Sequence, residues 1–83
     1  AIADRANFVV WTYNVPNQRL SVLAGSPGQQ GFRDGVGRSA RFMRPADVAV
    51  SADGGIVNVV DEGTKCVRLI ERGSATVSSL CVR

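Results

Sequence analysis

Asp47-Val-Ala-Val-Ser, Asp53-Gly-Gly, Ile56-Val-Asn-Val-Val-Asp and Cys66-Val-Arg-Leu-Ile-Glu follow one another in a single stretch, and their reading decides the fold. The apolar runs are rich in β-branched residues and short enough for strands, and Asp-Gly-Gly between the first two is a turn signal. After Glu71, Gly73-Ser74 supplies another turn and Thr76 to Val82 returns. Gly first in a two-residue loop predicts a type II′ turn there. Residues 45–82 therefore read as four consecutive antiparallel strands, a meander, and the chain as all-β.

Working outward, the chain repeats itself. A shift of 57 positions lays Asp4 on Asp61, Val10 on Val67, Leu20 on Val77 and Leu23 on Leu80. It also lays the turn centre Pro16-Asn17 on Gly73-Ser74. Val9 to Asn14 runs out, Val-Pro-Asn-Gln turns, and Arg19 to Ala24 returns, with Pro16 presetting φ in the turn. Residues 1–24 thus hold the last two strands of a preceding unit and a stub of its second strand at Ile2-Ala3. Internal similarity at such a period marks repeat architectures. Residues 25–44 lie between the units. Gly25 to Met43 carries five of the nine glycines and shows no strand signal after Pro27. Near its end, Arg38-Ser-Ala-Arg-Phe-Met is expected to form one helical turn that buries Phe42.

Composition narrows the function. The chain has 83 residues, enough for one small domain, with 45% apolar and 20% charged residues, a globular balance. No apolar run is long enough to span a membrane, and no basic-then-apolar leader precedes the first strand. Histidine is absent, which removes the commonest general base and transition-metal ligand. No Gly-x-Ser-x-Gly elbow occurs, and the glycines of Gly31 to Gly37 match no phosphate-cradling pattern. The expectation is no catalytic residue, no metal and no cofactor.

The two cysteines fall into register. A hairpin centred between Gly73 and Ser74 pairs residues whose numbers sum to 147, so Cys66 faces Cys81. Directly opposed residues of a non-hydrogen-bonded pair are close enough for a disulfide; two buried free thiols are the alternative. A bridge would imply an oxidising compartment: extracellular, cell-surface or secretory lumen.

Residues 20–70 carry a family pattern. Leu23-Ala-Gly-Ser-Pro-Gly, Gly31-Phe-Arg-Asp-Gly-Val-Gly and Ala40-Arg-Phe resemble the connection between blades of the NHL repeat family. Arg44-Pro-Ala-Asp-Val-Ala-Val resembles its first strand, and Asp53-Gly-Gly with Val57-Asn-Val-Val-Asp its second. Ala3-Asp-Arg-Ala-Asn resembles the entry to a third. At the positions that name the family the chain has Thr64 and Lys65, and Asn7 and Phe8 in the other unit. Asp47 replaces a Gly. The resemblance implies antiparallel four-stranded blades of an incomplete β-propeller: half a blade in 1–24, a connecting loop in 25–44 and a complete blade in 45–83. Such a unit needs neighbours to bury its faces. The expected partners are further blades of the same protein, or self-association through open sheet edges. A start at Ala1 and an end at Arg83 read as a processed, trimmed or excerpted piece, the latter fitting a trypsin-like cut.

Arg33, Arg38, Arg41 and Arg44 crowd the loop. They are candidates for an anion-binding rim that takes an acidic glycan or protein partner. The alternative pairs Arg33 with Asp34 or a neighbouring blade's carboxylate and leaves the rest solvated. Nucleic acid is not the expected partner, because the disulfide reading points to an oxidising compartment. Trp11 and Tyr13 share one strand face, either as packing between blades or as a recognition surface, and Asp4 and Asp61 are expected to brace turns. The expected function is a non-catalytic binding module of an extracellular or cell-surface propeller, a receptor or adhesion ectodomain. The alternatives are part of an NHL-type enzyme with its active site in other blades, and an intracellular scaffold for RNA or protein.

Overall fold

The computed structural model describes residues 1–82, so Arg83, read above as the end of the second blade and as a cleavage terminus, lies outside the described residues. The first sheet is a meander of β1 (Ile2–Asp4), β2 (Val9–Asn14) and β3 (Arg19–Ala24), in that order. The second contains β4 (Gly35–Val36), β5 (Pro45–Val50), β6 (Ile56–Asp61), β7 (Cys66–Glu71) and β8 (Thr76–Cys81), ordered β4-β8-β7-β6-β5. All pairings are antiparallel. The 57-residue shift carries β2 and β3 onto β7 and β8 end for end.

The sheet has five strands where four were expected. Gly35–Val36 pairs with Thr76–Val77, so the loop between the units covers the first two residues of the outer edge of β8 with its own backbone and leaves Ser78–Cys81 without a strand partner on that side among the described residues. A two-residue strand inside a glycine-rich loop has no periodicity to read.

The tight turns also differ from expectation. No two-residue type II′ loop forms at Gly73-Ser74. The loop is four residues long, Arg72 to Ala75, and the left-handed residue is Ala75 (φ 59°), whose N–H donates to Glu71 O at 2.7 Å. Phe8, Gln18 and Lys65 take the same conformation at the ends of three other four-residue loops. Both loop lengths share one centre, so the register survives the change.

Alternation along the strands builds the core. Val57 and Val59 from β6, Ile70 from β7 and Val77 from β8 turn one face inward, against Val10 and Ala24 of the first sheet and Ala40 and Phe42 of the loop. Phe42 is buried as expected, but not by a helical turn of its own. A 3₁₀ turn comes earlier, at Gly37–Ser39, and Phe42 is held extended, bridging Gln30. Gly25 permits the close approach: at φ 90° its missing Cβ would lie 2.8 Å from Phe8 O. Among the described residues no helix is long and apolar enough to cross a membrane.

Cys66 and Cys81 are opposed in the β7–β8 register and joined by a disulfide. The neighbouring Lys65 carbonyl accepts from Val82 N–H at 2.8 Å, which makes the cysteine pair the non-hydrogen-bonded one. The bridge closes a loop of 15 residues. Reduction is therefore expected to lower unfolding free energy by about 3 kcal/mol, read as a fall in urea midpoint on adding reductant. An unchanged midpoint, with the bridge shown open by mass, would contradict a stabilising role.

Candidate functional site

The loop of residues 25–44 is held by one buried side chain. Arg68 projects from the core face of β7 between Cys66 and Ile70 and is fully buried. Its Nη1 donates to Asp61 Oδ2 and to Arg41 O, both at 2.8 Å. Its Nη2 donates to Arg33 O at 2.9 Å and to Asp34 Oδ1 at 3.2 Å. The guanidinium carbon lies 4.6 Å from the Phe32 ring centre and 4.8 Å from that of Phe42, a desolvated cation–π geometry that contributes roughly 2 kcal/mol. Four of the five donors are satisfied; the fifth, on Nε, has no partner among the described residues.

Asp61 completes the clamp. Its buried carboxylate accepts from Arg44 N–H at 2.6 Å and from Met43 N–H at 3.1 Å, besides the Arg68 guanidinium. An ion pair with no exposure is costly to desolvate and stands only when its remaining lone pairs and protons are used. Here they fix the middle of the loop at Arg33 and Asp34 and its end at Arg41, Met43 and Arg44. Asp34, at the surface, is shared between Arg68 and the Ser79 hydroxyl, 2.6 Å away.

The four candidate arginines occupy the resulting ridge in two kinds of position. Arg33 donates through Nε to Ser39 O at 3.0 Å, and half-buried Arg41 donates to the carbonyls of Arg38 and Ala40. Arg33 is thus not the partner of Asp34; Arg68 takes that place. The side chains of Arg38 and Arg44 are exposed and find no partner among the described residues. Asp4 braces its turn as expected, accepting from Asn7 N–H and the Asn7 amide, and also from the Trp11 indole at 2.9 Å, whereas the Asp61 carboxylate holds the distant Met43 and Arg44 N–H groups and not its own turn.

Arg68 was not singled out from the sequence, yet a signal existed. It is a charged residue at an inward position of an alternating strand. The 57-residue shift places it on Trp11 as it places Asp61 on Asp4. Both copies therefore span the same gap with a donor to the same carboxylate.

Residues 42–68 match the NHL repeat family. That stretch runs from Phe42 to Arg68, the two side chains that meet in the clamp. A search of curated proteins finds no match. Among solved structures, an auxiliary nutrient binding protein from Bacteroides thetaiotaomicron VPI-5482 superposes with a TM-score of 0.65 at 22% identity, covering 89% of this chain and 21% of that one. The likeness supports the fold, that of NHL-type propeller blades, and the chain spans about a fifth of the neighbour's length.

Arg68→Met is expected to leave Asp61 buried without its countercharge and to cost roughly 3–5 kcal/mol. Arg68→Lys keeps the charge but cannot span four acceptors. Faster hydrogen exchange at the Gly31, Arg41 and Met43 amides, with the β7–β8 ladder still protected, is the expected signature.

Hydrogen bonds from the Asn7 side chain and then the Trp11 indole hold the Asp4 carboxyl below its usual 3.8. The Gly55 N–H and the Ser51 hydroxyl do the same for Asp53. A carboxyl depressed on folding stabilises fully above its unfolded value and loses that contribution as pH falls through the lower, folded one. Asp4→Asn with Asp53→Asn should therefore flatten the acid limb of a stability–pH curve below pH 3.8. An unaltered slope would mean other carboxylates govern it.

Proposed function

We propose that this chain is a non-catalytic binding module of an extracellular or secretory-lumen NHL-type propeller, receptor or adhesion in kind. Its inter-blade loop engages an acidic glycan or protein. The observation that carries this reading is the division of labour in the loop. Arg68, Arg33 and Arg41 spend their donors on holding the backbone, while Arg38 and Arg44 stand exposed on that rigid frame with theirs free. Preorganised cationic donors on an ordered loop bind anions without a large ordering cost. The Cys66–Cys81 bridge supports an oxidising compartment. The name of the Bacteroides protein of similar fold, a nutrient-binding protein, supports a binding role.

Retention on immobilised heparin, followed against salt, tests the reading. The double variant Arg38→Ala/Arg44→Ala is expected to bind about tenfold more weakly, the equivalent of one charge-assisted hydrogen bond, and to show a shallower salt dependence. Binding that the double variant leaves unchanged would remove the loop as the site.

A further inference from the structure

Two cross-strand pairs stand next to one another on the inward face of the β7–β8 hairpin. Cys66 and Cys81 form one, and Arg68 and Ser79 form the next. The second pair reaches the inter-blade loop. The Ser79 hydroxyl donates to Asp34 Oδ1 at 2.6 Å, and the same oxygen accepts from Arg68 Nη2 at 3.2 Å. Asp34 is thus held by two groups, and the shorter bond comes from β8. Beyond Val77 the outer edge of β8 has no strand partner among the described residues. Ser79 is therefore kept in register by the β7 ladder and by the disulfide just beyond it.

We infer that this disulfide is a redox switch on the arginine loop, acting through Ser79 and Asp34. For its effect on a ligand the switch rests on the anion-binding reading above; for the movement of the loop it does not. With the bridge closed, Ser79 and Arg68 together hold Asp34. With the bridge open, the end of the hairpin frays first, as sparsely packed strand ends do, and the Ser79 bond goes with it. The Asp34 carboxylate, already at the surface, then keeps only its longer bond and swings toward the guanidinium groups of its own loop. An anionic ligand has to compete with it there, so opening the bridge weakens binding.

The reduced state is provided for as well. Cys66 Sγ lies 3.3 Å from the Thr64 carbonyl. A disulfide sulfur has no proton to offer that carbonyl, but the buried thiol does, so it meets a ready acceptor on reduction. The electrons come from a dithiol. Its thiolate attacks Sγ of Cys81 at the sheet edge, and Cys66 leaves as a thiolate and takes up a proton. The second thiol then displaces Cys81, which is protonated in turn, and the reductant ends as a disulfide.

Dithiothreitol without denaturant tests the switch, with intact mass following the thiols and circular dichroism the strands. The bridge is expected to open in the folded chain. Amide exchange should then quicken at Arg33 and Arg41, which bond to one another across the loop. Met43 and Arg44, held by Asp61, should stay protected. Immobilised heparin should bind about threefold more weakly, the scale of one exposed charge pair. Ser79→Ala in the oxidised chain should reproduce both changes, and reduction should add little to it, because the two act in series. Should the reduced chain lose its strands, Ser79→Ala decides alone: exchange at Arg33 and Arg41 no faster than in the unaltered chain would overturn the inference. So would a bridge that opens only after unfolding, exchange that quickens equally at Met43 and Arg44, or effects of Ser79→Ala and reduction that simply add. Heparin binding that needs Arg38 and Arg44 yet ignores reduction would overturn it too. Heparin binding that the Arg38→Ala/Arg44→Ala pair leaves unchanged removes the anion site instead, and quickened exchange at Arg33 and Arg41 would still establish the switch.

Discussion

The ion pair between Arg68 and Asp61 sits where a β-sheet would ordinarily place two more apolar side chains, and the loop between the sheets depends on it. Without the pair, the carbonyls of Arg33 and Arg41 and the N–H groups of Met43 and Arg44 would need other partners in a buried setting. With it, a glycine-rich segment that has little core of its own becomes part of the second sheet. The two Phe rings over the guanidinium keep water away and so raise the cost of breaking any one bond. A buried pair of this kind adds specificity of arrangement more than net stability.

The same gap in the first sheet is spanned by Trp11 and Asp4. An indole offers one donor where a guanidinium offers five. The first copy can therefore brace its turn but cannot clamp a loop through this side chain. Equivalent positions thus keep the geometry of a strut while differing in what the strut can hold. The disulfide is likewise particular to one copy: Val9 and Ala24 stand where Cys66 and Cys81 do. The repeat supplies a scaffold, and the individual side chains decide how firmly each copy is fastened.

Strand placement was legible because it rests on local information: β-branched runs, turn residues between them and a constant shift. Hairpin register was legible for the same reason, and it sets Cys66 opposite Cys81. The turn at Gly73-Ser74 misled because glycine permits a left-handed residue without requiring one. The loop instead put Ala75 there, where its N–H could reach Glu71 O. The short strand at Gly35–Val36 was invisible, since its only partner is some forty residues away in β8. Among the arginines, sequence could mark a cluster but could not tell which guanidinium would be spent on backbone and which left free.

By itself, then, the sequence determined the all-β class, the 57-residue internal repeat, the placement of the six-residue strands and the facing of Cys66 and Cys81. Each follows from side-chain alternation and from turns spanning a few residues. Tertiary structure alone decided that Arg68 would be buried and that Asp34 would pair with Arg68 and not with Arg33. Those outcomes depend on which distant carbonyls, rings and carboxylates converge once the sheets pack, and no local pattern encodes that convergence.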